Sequence, residues 1–131
     1  MHKQTIKYVD YDGNEREEDF YFNLNKSELI DLEFTREGGL ADYLKKIIAS
    51  NDKPTIYSMF KKILLMSYGE KSPDGKRFIK SEEISKAFSE TEAYNQLFLD
   101  LCSNEGRMAA FVNAIIPADL SGKVHSNTSG V

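Results

Sequence analysis

Hydrophobic and polar residues alternate from Thr5 to Leu24, with Ile6 and Tyr8 before the Asp12-Gly13-Asn14 turn signal and Phe20, Phe22 and Leu24 after it. A period of two puts every second side chain on one face of a strand, so the pattern predicts a half-buried β-hairpin over about residues 5–24. At Asn25 the period changes. In "NKSELIDLEF", Asn25 stands three residues before Glu28, the spacing at which two side chains satisfy orphan backbone donors at a helix start. A helix over about Lys26–Glu37 is expected, closed by Gly38-Gly39.

Leu40, Tyr43, Leu44, Ile47 and Ile48 then fall where one apolar stripe runs along a helix. Asn51-Asp52 ends that helix and starts another, with Pro54 in its first turn, where a missing backbone donor costs little. Ile56, Met59, Phe60, Ile63 and Leu64 repeat the stripe, and Gly69 reads as its C-terminal stop. "SPDG" is in β-turn order, and "RFIKS" leaves room for only one or two bridging residues before Ser81 caps a new helix. That stretch reads as a connector between helical layers.

Three further periodic segments carry Ile84, Ala87 and Phe88; Tyr94, Leu97, Phe98, Leu101 and Cys102; and Met108, Phe111, Val112, Ile115 and Ile116, the last ended by Pro117. "ADLSGKVHSNTSGV" is small, polar and aperiodic, which predicts a disordered tail over residues 118–131. The expected fold is mainly α in the α+β class. It has an N-terminal hairpin and a bundle of about five to six short helices in one domain over residues 1–117, then the tail.

Composition agrees with one ordinary globular domain: 131 residues, 40% hydrophobic and 29% charged. A net charge of −4 and a pI near 5.2 disfavour nucleic acid as a partner, because phosphate contacts need a basic surface. No apolar run approaches the ~18 residues of a membrane span, and "MHKQTIKYVDYDG" lacks the basic-then-apolar build of a signal peptide. A lone cysteine, Cys102, forms no intramolecular disulfide and suits a reducing cytosol. The expectation is a soluble protein with neither membrane nor nucleic-acid partner.

Charge is unevenly spread. Asp10 to Glu37 is acidic, with only Arg16, Lys26 and Arg36 in opposition, whereas Gly38 to Ala87 is mildly basic. Ordinary solvated faces account for this; the sharper reading is attraction between copies, or an acidic face for a basic partner.

Candidate chemistry is sparse. "DYDGNEREEDFY" resembles a calcium loop only superficially, since Glu15 occupies the glycine position and Tyr21 that of the bidentate glutamate. Both histidines, His2 and His125, lie near the ends of the sequence, which leaves no base for a nucleophilic triad and no cluster for a metal. Glu82-Glu83 and Glu90 with Glu92 point to different helix faces. "SYGEKSPDGK" lacks the glycine spacing of a phosphate loop. Cys102 lies on an apolar stripe, as a core residue does. No catalytic residue, metal ligand or cofactor is expected.

What remains is surplus apolar surface. Once the stripes are assigned to a core, Tyr57, Leu65, Tyr68 and Leu99 fall off the inward face, and they are the candidate partner-binding residues. The competing reading is that a compact domain buries its helices on two sides.

"NKSELIDLEF", "LLMSYGEKSPDGKRFIKSEEISKAFSETEAYNQLFLDL" and "AAFVNAIIP", from about Tyr21 to Pro117, together resemble the small tail assembly chaperones of long-tailed phages of Gram-positive bacteria. The order "YG", "DGKRF", "KSEE", "TEAY" and "IIP" carries the resemblance. It implies a non-enzymatic protein that binds the tape measure protein and keeps it soluble until the tail tube forms around it. Copies could array along that client as a homo-oligomer. The resemblance also implies residence in the host cell cytoplasm, absence from the mature virion, and often a longer frameshifted product. Two alternatives stand beside it: a structural tail or head-completion component retained in the virion, and a small host-directed regulator.

Overall fold

A computed structural model describes residues 1–31 and 39–117. The chain opens with an antiparallel hairpin, β1 (His2–Val9) and β2 (Glu15–Phe22), in which His2 pairs with Phe22 and Val9 with Glu15. Its period-two pattern has the expected consequence: Ile6 and Phe22 are buried on the inner face, while Lys3, Thr5, Lys7 and Val9 point out. Gly13 turns the chain at φ 85°, a left-handed conformation that glycine takes without penalty.

Six helices follow among the described residues: α1 (Lys26–Asp31), α2 (Gly39–Ala49), α3 (Lys53–Ser67), α4 (Glu82–Ser89), α5 (Glu92–Cys102) and α6 (Glu105–Ile115). The capping at α1 is reciprocal, with Glu28 N donating to Asn25 Oδ1 and Asn25 N to Glu28 Oε1, each at 2.9 Å. Asp52, Ser81, Thr91 and Asn104 cap α3, α4, α5 and α6 in the same side-chain-to-backbone manner. Asn51 takes φ 59° between α2 and α3, which an asparagine tolerates better than most residues. The stretch from Leu32 to Gly38, where the first helix was expected to continue and end, and the tail over residues 118–131 lie outside the described residues.

The connector reading of "SPDG" and "RFIKS" is incomplete: the two bridging residues expected in "RFIKS" are Phe78 and Ile79, and they complete a sheet. α3 ends at Ser67, and Tyr68–Lys71 form β3, which pairs Gly69 with Tyr21 and Tyr68 with Phe22. Phe78–Ile79 form β4 against it, so the hairpin grows into a four-stranded sheet in the order β1-β2-β3-β4. Gly69 is therefore a strand residue and not a helix stop. Added there, a Cβ would lie 2.7 Å from the Phe78 ring and 2.9 Å from the Ile79 carbonyl oxygen.

Sheet and helices share one core. Phe22 stands edge-on to Phe111 at 5.2 Å and to Phe88 at 5.7 Å, and Phe60 meets Phe111 at 5.9 Å. The hairpin exit is tied down by Asn23 N donating to the Ser67 carbonyl and Leu24 N to that of Ile115. α2 packs on α3 and α6, α5 on β1 and α6, and α4 bridges α3, α5 and β3. Among the described residues, no helix is long and apolar enough to cross a membrane.

Candidate partner-binding surface

Ser81, which caps α4, and Ser85 and Ser89 within it stand four residues apart, so they line one side of the helix. Opposite them, the last turn of α3 presents Leu65 and Met66, and β3 presents Tyr68. Between the two lies an open groove of about 510 Å³, with Leu65, Met66 and Tyr68 as its apolar floor. Ser85 Oγ donates to the Leu65 carbonyl at 3.2 Å and fixes the spacing of the two walls. On the far side of α4, Tyr68 also borders a second depression with Ile84 and Ala87. Half-exposed apolar side chains therefore flank α4 on both sides.

One end of the groove is closed by a charged pair. Lys80 Nζ donates to Glu28 Oε2 at 2.6 Å and to the Asn23 carbonyl at 2.5 Å. Burial holds the Lys80 ammonium below its ordinary pKa, and Glu28 partly offsets this. The pair locks α1 and the hairpin exit to the strand end that leads into α4.

The four residues singled out in the sequence do not form one surface. Leu65 and Tyr68 come together in the groove, both half-buried and packed against the core. Tyr57, 38% exposed, borders a different depression with Lys53 and the α5–α6 turn. Leu99 is 67% exposed on α5. Met66, Lys80 and the serine side of α4 were missed. Met66 had a signal, since it continues the apolar run of "KKILLMSY", and so had the four-residue spacing of the serines.

Cys102 is half-buried, and burial pushes its thiol pKa up, away from the reactive thiolate. Among the described residues, no group of His, Cys, Asp and Glu is placed to hold a metal ion.

A family model described as phage tail assembly chaperone matches residues 1–129. The chain belongs to that family. No curated protein and no solved structure matches it. The family match extends beyond the Tyr21 to Pro117 block, so the hairpin belongs to the unit that defines this tail assembly chaperone.

Proposed function

We propose that the chain binds the tape measure protein and keeps it soluble during tail assembly, in the host cell cytoplasm and without catalysis, and that it is left out of the mature virion. The observation that carries this reading is the family match over residues 1–129. The groove between α3 and α4 supports it. A helix with side chains is ~10–12 Å wide, so a shallow groove of about 510 Å³ takes the apolar ridge of an amphipathic helix and leaves its polar face in water. Leu65, Met66 and Tyr68 supply the apolar contact, and the α4 serines supply a rim that a departing client leaves hydrated.

Co-expression with the tape measure protein of the same phage tests the proposal. The client is expected in the soluble fraction and in complex with the chain, whereas alone it aggregates. A client that stays insoluble, or is soluble without associating, overturns it. Peptides of the chain in purified virions at structural stoichiometry would favour the alternative of a retained tail component.

A further inference from the structure

We propose that the outer face of the sheet, at its β3–β4 end, binds an acidic segment of a partner polypeptide, with Tyr21 and Phe78 beneath the segment and Lys3, Lys71, Lys76 and Arg77 around it. This surface is separate from the α3–α4 groove, and the inference does not depend on the chaperone reading.

Strand register gathers these residues. Lys3 stands opposite Tyr21 across β1 and β2, Tyr21 opposite Gly69 across β2 and β3, and Lys71 opposite Phe78 across β3 and β4. Opposed residues in an antiparallel pair share a face, as do residues two apart along a strand, so all five lie on one side. It is the side away from the core, because Phe22 and Tyr68, which alternate with Tyr21 and Gly69, stack on Phe88 inside. Gly69 makes room for the apolar part of this surface. With no side chain there, the Phe78 ring lies where a Cβ would come within 2.7 Å of it. Lys71 Nζ sits 4.7 Å from the centre of the Tyr21 ring, and both rings are partly exposed.

Charge on this face is divided. Toward the hairpin tip the carboxylates are engaged: Asp19 accepts the Thr5 hydroxyl at 2.6 Å, and Glu17 meets Lys7 at 3.4 Å. At the β3–β4 end the cations are in excess. The turn between these strands adds Lys76 and Arg77, while its carboxylate, Asp74, is taken up by the Ser72 hydroxyl and the Lys76 amide. Ser72 Oγ also accepts the Arg77 amide, and the Ser72 amide donates to the Arg77 carbonyl, which holds the turn in one shape. Among the described residues, Lys3, Lys71, Lys76 and Arg77 have no ion-pair partner, although the chain as a whole carries a net charge of −4.

Uncompensated cations around two aromatic rings fit carboxylates interspersed with an apolar side chain. Four strands at ~4.8 Å spacing span about 14 Å, the reach of four or five extended residues. The arrangement favours a polypeptide over a nucleic acid. A phosphate backbone is charged along its whole length and would run on toward Asp19 and Glu17, whereas a short acidic segment ends before them.

Two-dimensional NMR of the full chain at about 0.01 M salt, where charges are little screened, tests this with the acidic peptide EEFEE as the probe. The basic peptide KKFKK and a single-stranded decathymidylate are the other two probes. EEFEE should shift the amides of Tyr21, Gly69, Lys71 and Phe78 saturably, and KKFKK should not. The reversal K3E/K71E should weaken EEFEE binding by about tenfold or more, and K76E/R77E, confined to the exposed turn, should weaken it as well. K61E/K62E on α3 makes the same change in net charge and should alter the affinity by less than about twofold, because it lies off this face. Circular dichroism establishes that the variants are folded. Absence of saturable shifts at these amides, or equal weakening by K61E/K62E, overturns the proposal. So does decathymidylate binding at least as tight as that of EEFEE and lost in K3E/K71E, which would make the face a nucleic-acid surface. Shifts of the same amides with protein concentration alone would instead make it a contact between copies, and would overturn it too.

Discussion

Tyr68 and Phe88 stack face to face, their ring centroids 4.0 Å apart and their planes 11° from parallel. The stack joins β3 to α4 and sits between Phe20 and Phe22 of the hairpin and Tyr94 of α5. Burial, with Glu70 nearby, pushes the Tyr68 phenol above its ordinary pKa. Tyr68 is therefore as much core as surface. Tyr68→Ala should cost about 2 kcal/mol, less than the ~3–5 of a fully buried aromatic, because part of the ring is already in water. Tyr68→Phe should cost little. Urea unfolding of both variants checks this, and an alanine variant as stable as wild type would show that the stack contributes nothing.

Gly69 gives a second stability prediction. An added methyl would meet both the Phe78 ring, at 2.7 Å, and the Ile79 carbonyl oxygen, at 2.9 Å, and the carbonyl is held in the β3–β4 ladder. Gly69→Ala should destabilise by ~1–3 kcal/mol, as overpacking does. If Gly69 acted as a helix stop instead, an adjacent change such as Phe78→Ala would not relieve the cost. Here it should recover part of it in a double-mutant cycle.

These two residues also mark where local reading of the sequence runs out. The helical stripes were legible because each repeats within a single element: Leu40, Leu44 and Ile47 in α2 and Ile56, Phe60, Ile63 and Leu64 in α3 are all buried. The hairpin was legible for the same reason. β3 and β4 have four and two residues, too short for a period to show, and are held by partners distant in sequence. Tyr68 fell off the α3 stripe because it belongs to a strand, and its stacking partner lies in another element. Lys80 reaches Glu28 and Asn23 across more than fifty residues, a contact no spacing rule detects. Leu65 and Tyr68 were found as surplus apolar residues, but that they share a groove depends on where α4 lies.

Glu28 has two roles that substitution can separate. One carboxylate oxygen completes the α1 cap and the other meets Lys80. Asn25→Ala should cost about 1 kcal/mol through the cap alone. Glu28→Ala should cost more, because it also leaves the partly buried Lys80 ammonium without its counter-charge. Lys80→Met should then make Glu28→Ala markedly less damaging. Additive losses in thermal unfolding would mean that the two side chains do not interact.

Alkaline pH tests the hairpin. The Glu18 carboxylate accepts the Tyr8 hydroxyl and, with burial, pushes its pKa up to about 12. The unfolded chain releases that proton near its ordinary ~10, so the stability from this bond is whole below about pH 10 and is lost as pH rises through 12. Tyr68, Tyr94 and Tyr11 shift the same way, so the slope of wild type alone does not isolate Tyr8. The difference between wild type and Tyr8→Phe does. It should shrink between about pH 9 and about pH 11.5 in urea unfolding, whereas a constant difference would exclude the Glu18 bond as its source.

The placement of the client makes the last prediction, and exposure decides which variants test it cleanly. Leu65 packs partly on the core, so Leu65→Asp combines a lost contact with about 2 kcal/mol of destabilisation, and loss of client binding by that variant alone would be ambiguous. Ser89 borders the same groove from α4 and its hydroxyl bonds only within its own helix, to the Lys86 carbonyl at 2.6 Å. Ser89→Arg therefore narrows the groove with little cost to the fold. Leu99 lies on α5, outside the groove, and Leu99→Asp should be tolerated by both fold and client. In co-expression with the tape measure protein, Ser89→Arg and Leu65→Asp should leave the client insoluble, while Leu99→Asp should keep it in solution. The reverse pattern, with Leu99→Asp failing and Ser89→Arg succeeding, would move the grip from the α3–α4 groove to α5.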